Sequence, residues 1–274
     1  MYRITPIVKN LLIINTIVFL IDAVTGGMIN RMLSLKFVLA DDFIIIQFFS
    51  YMWLHGDFFH LLFNMIALFF FGPILEQLWG GKKFLQFYVI TGIGAGLLYA
   101  LANFAVIYQD ISASEKYLDN PTSKAFTQYI MKDLSRQALR GFDKQKLSTL
   151  NDTYYENPDN ESVRSNTIYV ATQVYDAAVQ GYSAPGIGMV GASGAVYGIL
   201  FAVVFLFPNM TIMLLFPPIP IKMKYLVLFM GAYALWSQIN RVEGDNVAHL
   251  AHLGGMLIGF ILLKVWKKSG NSYY

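Results

Sequence analysis

Cysteine is absent from the 274 residues. Its absence excludes a disulfide scaffold, a thiolate zinc site and a thiol nucleophile. Charge is scarce too: Asp, Glu, Lys and Arg make up 14% of the chain, against roughly 25% in ordinary soluble domains. With hydrophobic residues at 56%, that scarcity excludes intrinsic disorder. A net charge of +3 is too weak an excess to argue for nucleic acid. What is present in quantity is apolar, with a mean hydropathy of +0.49 and 16% aromatic residues. The composition describes an all-α integral membrane protein whose solvent is the lipid bilayer.

A helix needs about 20 apolar residues to cross the hydrocarbon core. Six stretches qualify as spans: Ile7–Gly26, Phe58–Trp79, Phe84–Tyr108, Gly188–Phe207, Tyr225–Ile239 and Val247–Trp266. The apolar run Phe43–Leu54 is too short and reads as an in-plane or re-entrant segment. The first span lacks a small-residue cleavage site after a short apolar core, so it reads as retained. Lysine and arginine set the orientation. The N-terminal side carries Arg3, Lys9, Lys82, Lys83, Lys222, Lys224, Lys264, Lys267 and Lys268, and the other side's short loops carry only Arg31, Lys36 and Arg241. Both termini are therefore expected in the cytoplasm of a multi-pass cell-membrane protein. With no targeting motif in view, a bacterial inner membrane is the expected setting.

The charges are unevenly placed. Residues 109–182 hold 10 acidic and 8 basic residues, nearly half of the chain's charge. Helical spacing recurs there at Phe126, Ile130, Leu134 and Ala138, and again at Val170, Val174 and Ala177. Between them, Asn151-Asp152 through Pro158-Asp159-Asn160 reads as loop. The organisation expected is 1–108 for spans one to three with an in-plane first outer loop, 109–182 for an extracytoplasmic helical insert, and 183–274 for spans four to six.

Polar groups inside spans are costly, so each requires a reason. His60 and Asn64 are four residues apart in the second span and share a helix face. Both donate hydrogen bonds, to a neighbouring helix or to a reacting group. Ser193 sits in Gly188-Met-Val-Gly191-Ala192-Ser193-Gly194-Ala195-Val196-Tyr197-Gly198 at the start of the fourth span. The small residues suit either tight helix packing or presentation of a nucleophile. Tyr197 follows on the same face, where its ring either covers the serine's surroundings or simply packs. The sixth span holds Ala248-His249-Leu250-Ala251-His252-Leu253-Gly254-Gly255, with Gly259 beyond. Gly194 and Gly198 on one helix, and Gly255 and Gly259 on the other, form two small-xxx-small faces that let helices approach closely. That approach is what a serine on one helix needs to reach a histidine on another. Metal binding by the two histidines is disfavoured, because no His-Glu-x-x-His pattern and no evident third ligand accompany them. No metal and no cofactor are expected.

Together, His60-x-x-x-Asn64, Gly191-Ala192-Ser193-Gly194 and Ala251-His252-Leu253-Gly254-Gly255-x-x-x-Gly259 resemble the rhomboid family of intramembrane serine proteases. The resemblance covers everything but the insert. It implies a six-helix bundle and a serine endopeptidase with a Ser–His dyad. By motif position Ser193 matches the nucleophile. His252 matches the general base, because Gly255 and Gly259 follow it as the family pattern requires, and His249 is then structural or at the rim. His60 and Asn64 match the oxyanion side chains, Tyr197 the aromatic beside the imidazole, and Gly191 a backbone position of the serine turn. His55 matches a structural histidine, and Glu76 an acidic residue that ties helices at the inner end of the second span. The first outer loop lacks the Trp-Arg pair of many members, and the insert is a larger departure. The partners implied are transmembrane protein substrates cleaved near the outer interface. A non-catalytic member of the fold that binds transmembrane clients is the alternative. A transporter is disfavoured for want of an inverted repeat and intramembrane carboxylates. Neither the substrate nor the oligomeric state is readable.

Overall fold

The computed structural model describes residues 4–135, 137–182, 188–213, 218–240 and 248–268; Arg3, Arg241 and Val247 lie outside them. Its helices are α1 (Pro6–Val24), α2 (Met28–Leu33), α3 (Gln47–Ser50), α4 (Phe58–Trp79), α5 (Gly81–Asp119), α6 (Ser123–Gln128), α7 (Lys144–Glu156), α8 (Glu161–Val179), α9 (Ser193–Leu206), α10 (Met223–Asn240) and α11 (His249–Lys268). A small antiparallel pair, β1 (Thr211–Met213) and β2 (Pro220–Lys222), joins α9 to α10. The chain divides into two compact units. One comprises Met1–Leu35, Ile44–Tyr99 and Gly188–Tyr274; the other comprises Lys36–Phe43 and Ala100–Ile187.

In the first unit, α1, α4, α5 and α11 are long and apolar enough to cross a membrane. This makes the chain a multi-pass membrane protein. The expected fourth and fifth spans are helices that fall outside that set. α9 has only 14 residues, about 21 Å of rise. α10 has 18, with Lys224, Gln238 and Asn240 among them. Burial within these helices takes in small and polar residues as well as bulky ones such as Leu68, Phe84 and Tyr88, and their outer faces need only suit lipid. Phe59, Phe63, Leu228 and Phe229 are accordingly exposed, while Asn15, Asn64, Glu76 and Ser237 are buried. Glu76 resolves a specific problem. The first N–H groups of α1 have no partners inside their own helix. The Glu76 carboxylate, reaching across from α4, accepts the backbone N–H groups of Ile7 and Val8 at 2.9 Å each, and the Thr5 hydroxyl as well. Its negative charge also suits a helix N-terminus.

In the second unit, α5 continues to Asp119 instead of ending near Tyr108. Phe126, Ile130, Leu134 and Ala138 are all buried in one cluster with Tyr117, Tyr129 and Tyr154, but they do not form one helix. α6 gives way to a single π turn over Tyr129–Asp133, and Leu134 is extended. The cause is Asp110, which is fully buried. Its carboxylate accepts the Ser135 backbone N–H and hydroxyl, both at 2.6 Å, and the Tyr182 hydroxyl at 2.8 Å. The Ser135 N–H that would continue the helix is thus taken by another element. The Asn151–Glu156 stretch, expected as loop, is the last part of α7. Tyr154 carries the helix through, with its ring in the cluster and its hydroxyl on the Pro121 carbonyl at 2.8 Å. In α8 the buried stripe is Thr167, Ala171, Val174 and Ala178, and Ala177 faces outward. A second apolar cluster joins Phe37 and Ala40, which follow α2, to Ile107, Ile111 and Ala178.

Candidate active site

Ser193, His252, His60, Asn64, Tyr197 and Gly191 lie in the first unit, on α4, α9, α11 and the turn before α9. Ser193 is the first residue of α9. Gly191, two residues earlier, has φ +131°, a conformation that side-chain-bearing residues rarely adopt. A Cβ there would also come within 2.7 Å of His60 Nε2. The turn is held by the segment between α1 and α4. Leu35 and Met189 exchange backbone hydrogen bonds at 2.9 and 2.8 Å, Ser34 Oγ accepts the Gly188 N–H at 2.8 Å, and the Tyr51 carbonyl accepts the Gly191 N–H at 3.0 Å. Tyr51 is anchored in turn by its hydroxyl, which donates to the Gly92 carbonyl at 2.7 Å. Ser34, Leu35 and Tyr51 carry no motif, since two of the three act through backbone atoms that every residue has. Only the aromatic, half-polar character of Tyr51 within an apolar run could have marked it.

α9 packs directly on α11. A Cβ on Gly255 would run into the Gly194 carbonyl, and one on Gly198 would lie 3.2 Å from the Gly255 carbonyl. This closeness brings His252 Nε2 to 2.8 Å from Ser193 Oγ. Tyr197 stacks flat on the His252 ring, with centroids 4.1 Å apart and planes 7° apart. His252 is buried and Ser193 is partly exposed. His249 is also buried, edge-on to His252 at 6.1 Å and to Tyr233 of α10 at 5.8 Å. The hydrogen bond to Ser193 is made by His252.

On α4, Asp57 caps the helix by accepting the His60 backbone N–H at 2.9 Å. The His60 ring lies beside Gly191. Asn64 is buried, and its Nδ2 donates to the His60 carbonyl at 3.0 Å. An amide nitrogen has two protons, so this bond occupies one of them. His55, just before α4, stacks edge-on against His60 at 5.1 Å. Burial, with His60 beside it, pushes the His55 imidazole down to about 3 and keeps it neutral. Because α9 starts at Ser193, its first backbone N–H groups and its positive dipole end converge on the serine. The arrangement therefore combines a hydroxyl in contact with an imidazole, a ring stacked on that imidazole, and the start of α9 with the His60 ring beside the serine turn.

The Rhomboid domain family matches residues 43–109 and 159–268 of this chain. The interval it passes over, 110–158, falls inside the insert. Among curated relatives, RHOMBOID-like protein 1 of Arabidopsis thaliana is 43% identical over 61 residues, which is 22% of this chain and 16% of that protein. RHOMBOID-like protein 5 of the same plant is 44% identical over 54 residues, 20% of this chain and 18% of its own. The Rhomboid protease AarA of Providencia stuartii is 41% identical over 69 residues, 25% of this chain and 23% of its own. The matched segments thus span under a quarter of each relative. Relatives occur in a plant and in a bacterium, so the likeness does not tie the chain to a bacterial membrane.

Proposed function

The chain belongs to the rhomboid family, and on that footing we propose that it is an intramembrane serine endopeptidase acting on transmembrane helices. The observation that carries the reading is the 2.8 Å contact between His252 Nε2 and Ser193 Oγ. His252 accepts the hydroxyl proton as Ser193 attacks the scissile carbonyl, and returns it to the leaving amine. The stacked Tyr197 ring holds the imidazole in plane. The tetrahedral oxyanion is met by the Ser193 N–H, His60 and the remaining Asn64 amide proton. Water then hydrolyses the acyl-enzyme.

The reading extends to topology. Six spans with both termini inside, as the lysine and arginine distribution implies, put the Ser193 end of α9 toward the outer side. Substrate helices unwind there, because a peptide bond inside a helix is shielded and its backbone groups are satisfied. Helix-weakening Gly or Pro near the cut site favours cleavage.

The test is cleavage of a panel of transmembrane substrates in vesicles. Ser193→Ala and His252→Ala abolish turnover, while His249→Ala retains a substantial part of it. Full activity in either dyad variant refutes the mechanism. A folded wild-type protein that binds the panel but cuts none of it favours the client-binding alternative.

A further inference from the structure

We infer that Asp22 and Asn30 are positioning residues for His60: through one peptide unit they fix which of its nitrogens carries the proton. The inference rests on the protease reading for its consequence, but its geometry is separate. Asp22 is buried near the outer end of α1, and its Oδ1 accepts the Asn30 backbone N–H at 2.8 Å. Asn30, in α2, is also buried, and its Nδ2 donates to the His55 carbonyl at 3.1 Å. That carbonyl and the Gly56 N–H belong to the same planar peptide group. Holding one end of the plane aims the other, and the Gly56 N–H points at His60 Nδ1 at 3.5 Å, a long contact.

A ring nitrogen that faces an N–H cannot carry a proton of its own. His60 is therefore the Nε2–H tautomer. Nε2 is the atom beside Gly191, on the approach to Ser193. The alternative tautomer would aim a lone pair at that place, where a developing oxyanion needs a donor. Asp22 and Asn30 touch neither the serine nor the substrate. They act by orienting the peptide that orients the ring, and the His55 ring packs edge-on against it.

The experiment pairs cleavage kinetics with nitrogen NMR of histidine-labelled protein. The chain has four histidines, so His60→Gln assigns the resonance. Wild type shows the Nε2–H pattern for His60. Asn30→Ala and Asp22→Ala show a tautomer mixture and a kcat lower by about 10- to 100-fold, short of the ~10²–10³ lost with a whole oxyanion donor, and KM stays within about twofold. Asp22→Asn, whose amide oxygen still accepts the Asn30 N–H, restores both readouts. Asn30→Leu keeps the volume and serves if the alanine variant does not fold. Glu76→Gln, which loosens α1 elsewhere, lowers stability and leaves the His60 pattern unchanged. An Nδ1–H pattern in wild type, or an unchanged pattern in Asn30→Ala and Asn30→Leu, overturns the inference whatever the cleavage result. A wild type with the Nε2–H pattern, lost in Asn30→Ala, supports the tautomer assignment even if no substrate is cut, in which case only the protease reading falls.

Discussion

At the residue scale, several buried polar side chains of the first unit serve backbone groups of neighbouring segments. Glu76 is the clearest case: one carboxylate serves two N–H groups and a hydroxyl at the start of α1. Replacing it by Gln exchanges one acceptor oxygen for an NH₂ that faces a donor. Glu76→Gln should therefore cost about 1–3 kcal/mol, read as an earlier unfolding transition in detergent with the Ser193–His252 site still able to react. An unchanged transition would mean that water caps α1 in its place. The helix-tying role of Glu76 was legible from its motif, as was the convergence of Ser193 with His252, because glycine spacing on two helices announces close contact. The roles of Asp22 and Asn30 were not. An Asp near a helix end and an Asn in a loop look like ordinary solvated residues until the His55–Gly56 peptide is seen between them and His60.

At the element scale, the pairing of α9 with α11 decides the site, because a shift of one ångström would part the hydroxyl from the imidazole. Gly255 meets the Gly194 carbonyl with no room for a methyl group. Backbone cannot retreat as a flexible side chain can. Gly255→Ala should therefore force the helices apart and cost about 1–3 kcal/mol. It should also reduce turnover well beyond what the stability loss explains, measured on protein held below its unfolding temperature. Retained turnover would show that α11 can slide without parting the pair. Helices α1, α4 and α11 were readable from apolar length, whereas α5 runs past the expected end at Tyr108 to Asp119. The insert was harder to read. Its apolar spacing at Phe126, Ile130, Leu134 and Ala138 is a true burial signal, but period alone cannot reveal that Asp110, far away in sequence, takes the Ser135 N–H and ends the helix. Likewise the polar look of Asn151-Asp152 is outweighed by the burial of Tyr154.

At the scale of the whole molecule, two kinds of material are joined along one helix. α5 is 39 residues long, about 58 Å at 1.5 Å per residue. That is nearly twice the ~30 Å hydrocarbon core, and the helix is shared: its residues to Tyr99 belong to the first unit and those from Ala100 to the second. The insert has its own pH limit. Burial pushes up the Tyr129 and Tyr182 hydroxyls, and the nearby Asp110 carboxylate raises both further. A phenol whose folded value lies above its unfolded value of about 10 stabilises the fold below that pH, and the contribution is lost as pH rises beyond it. The insert's unfolding transition should accordingly move down on raising pH past about 10, and Tyr182→Phe should flatten that dependence. An equal slope in the variant would place the sensitivity elsewhere. The cluster of Phe37 and Ala40 with Ala178 has a further consequence, for the order of events in synthesis. Residues 36–43 leave the ribosome early, yet the end of α8 that covers them follows some 140 positions later. At 5–20 residues per second, that is a wait on the order of ten seconds. During it α4 and α5 are made, and Phe37 is covered only from the side of Phe104 and Ile107. The contact that completes the insert is thus among the last to form, and a nascent chain stalled before Tyr182 would present Phe37 to whatever chaperone is at hand.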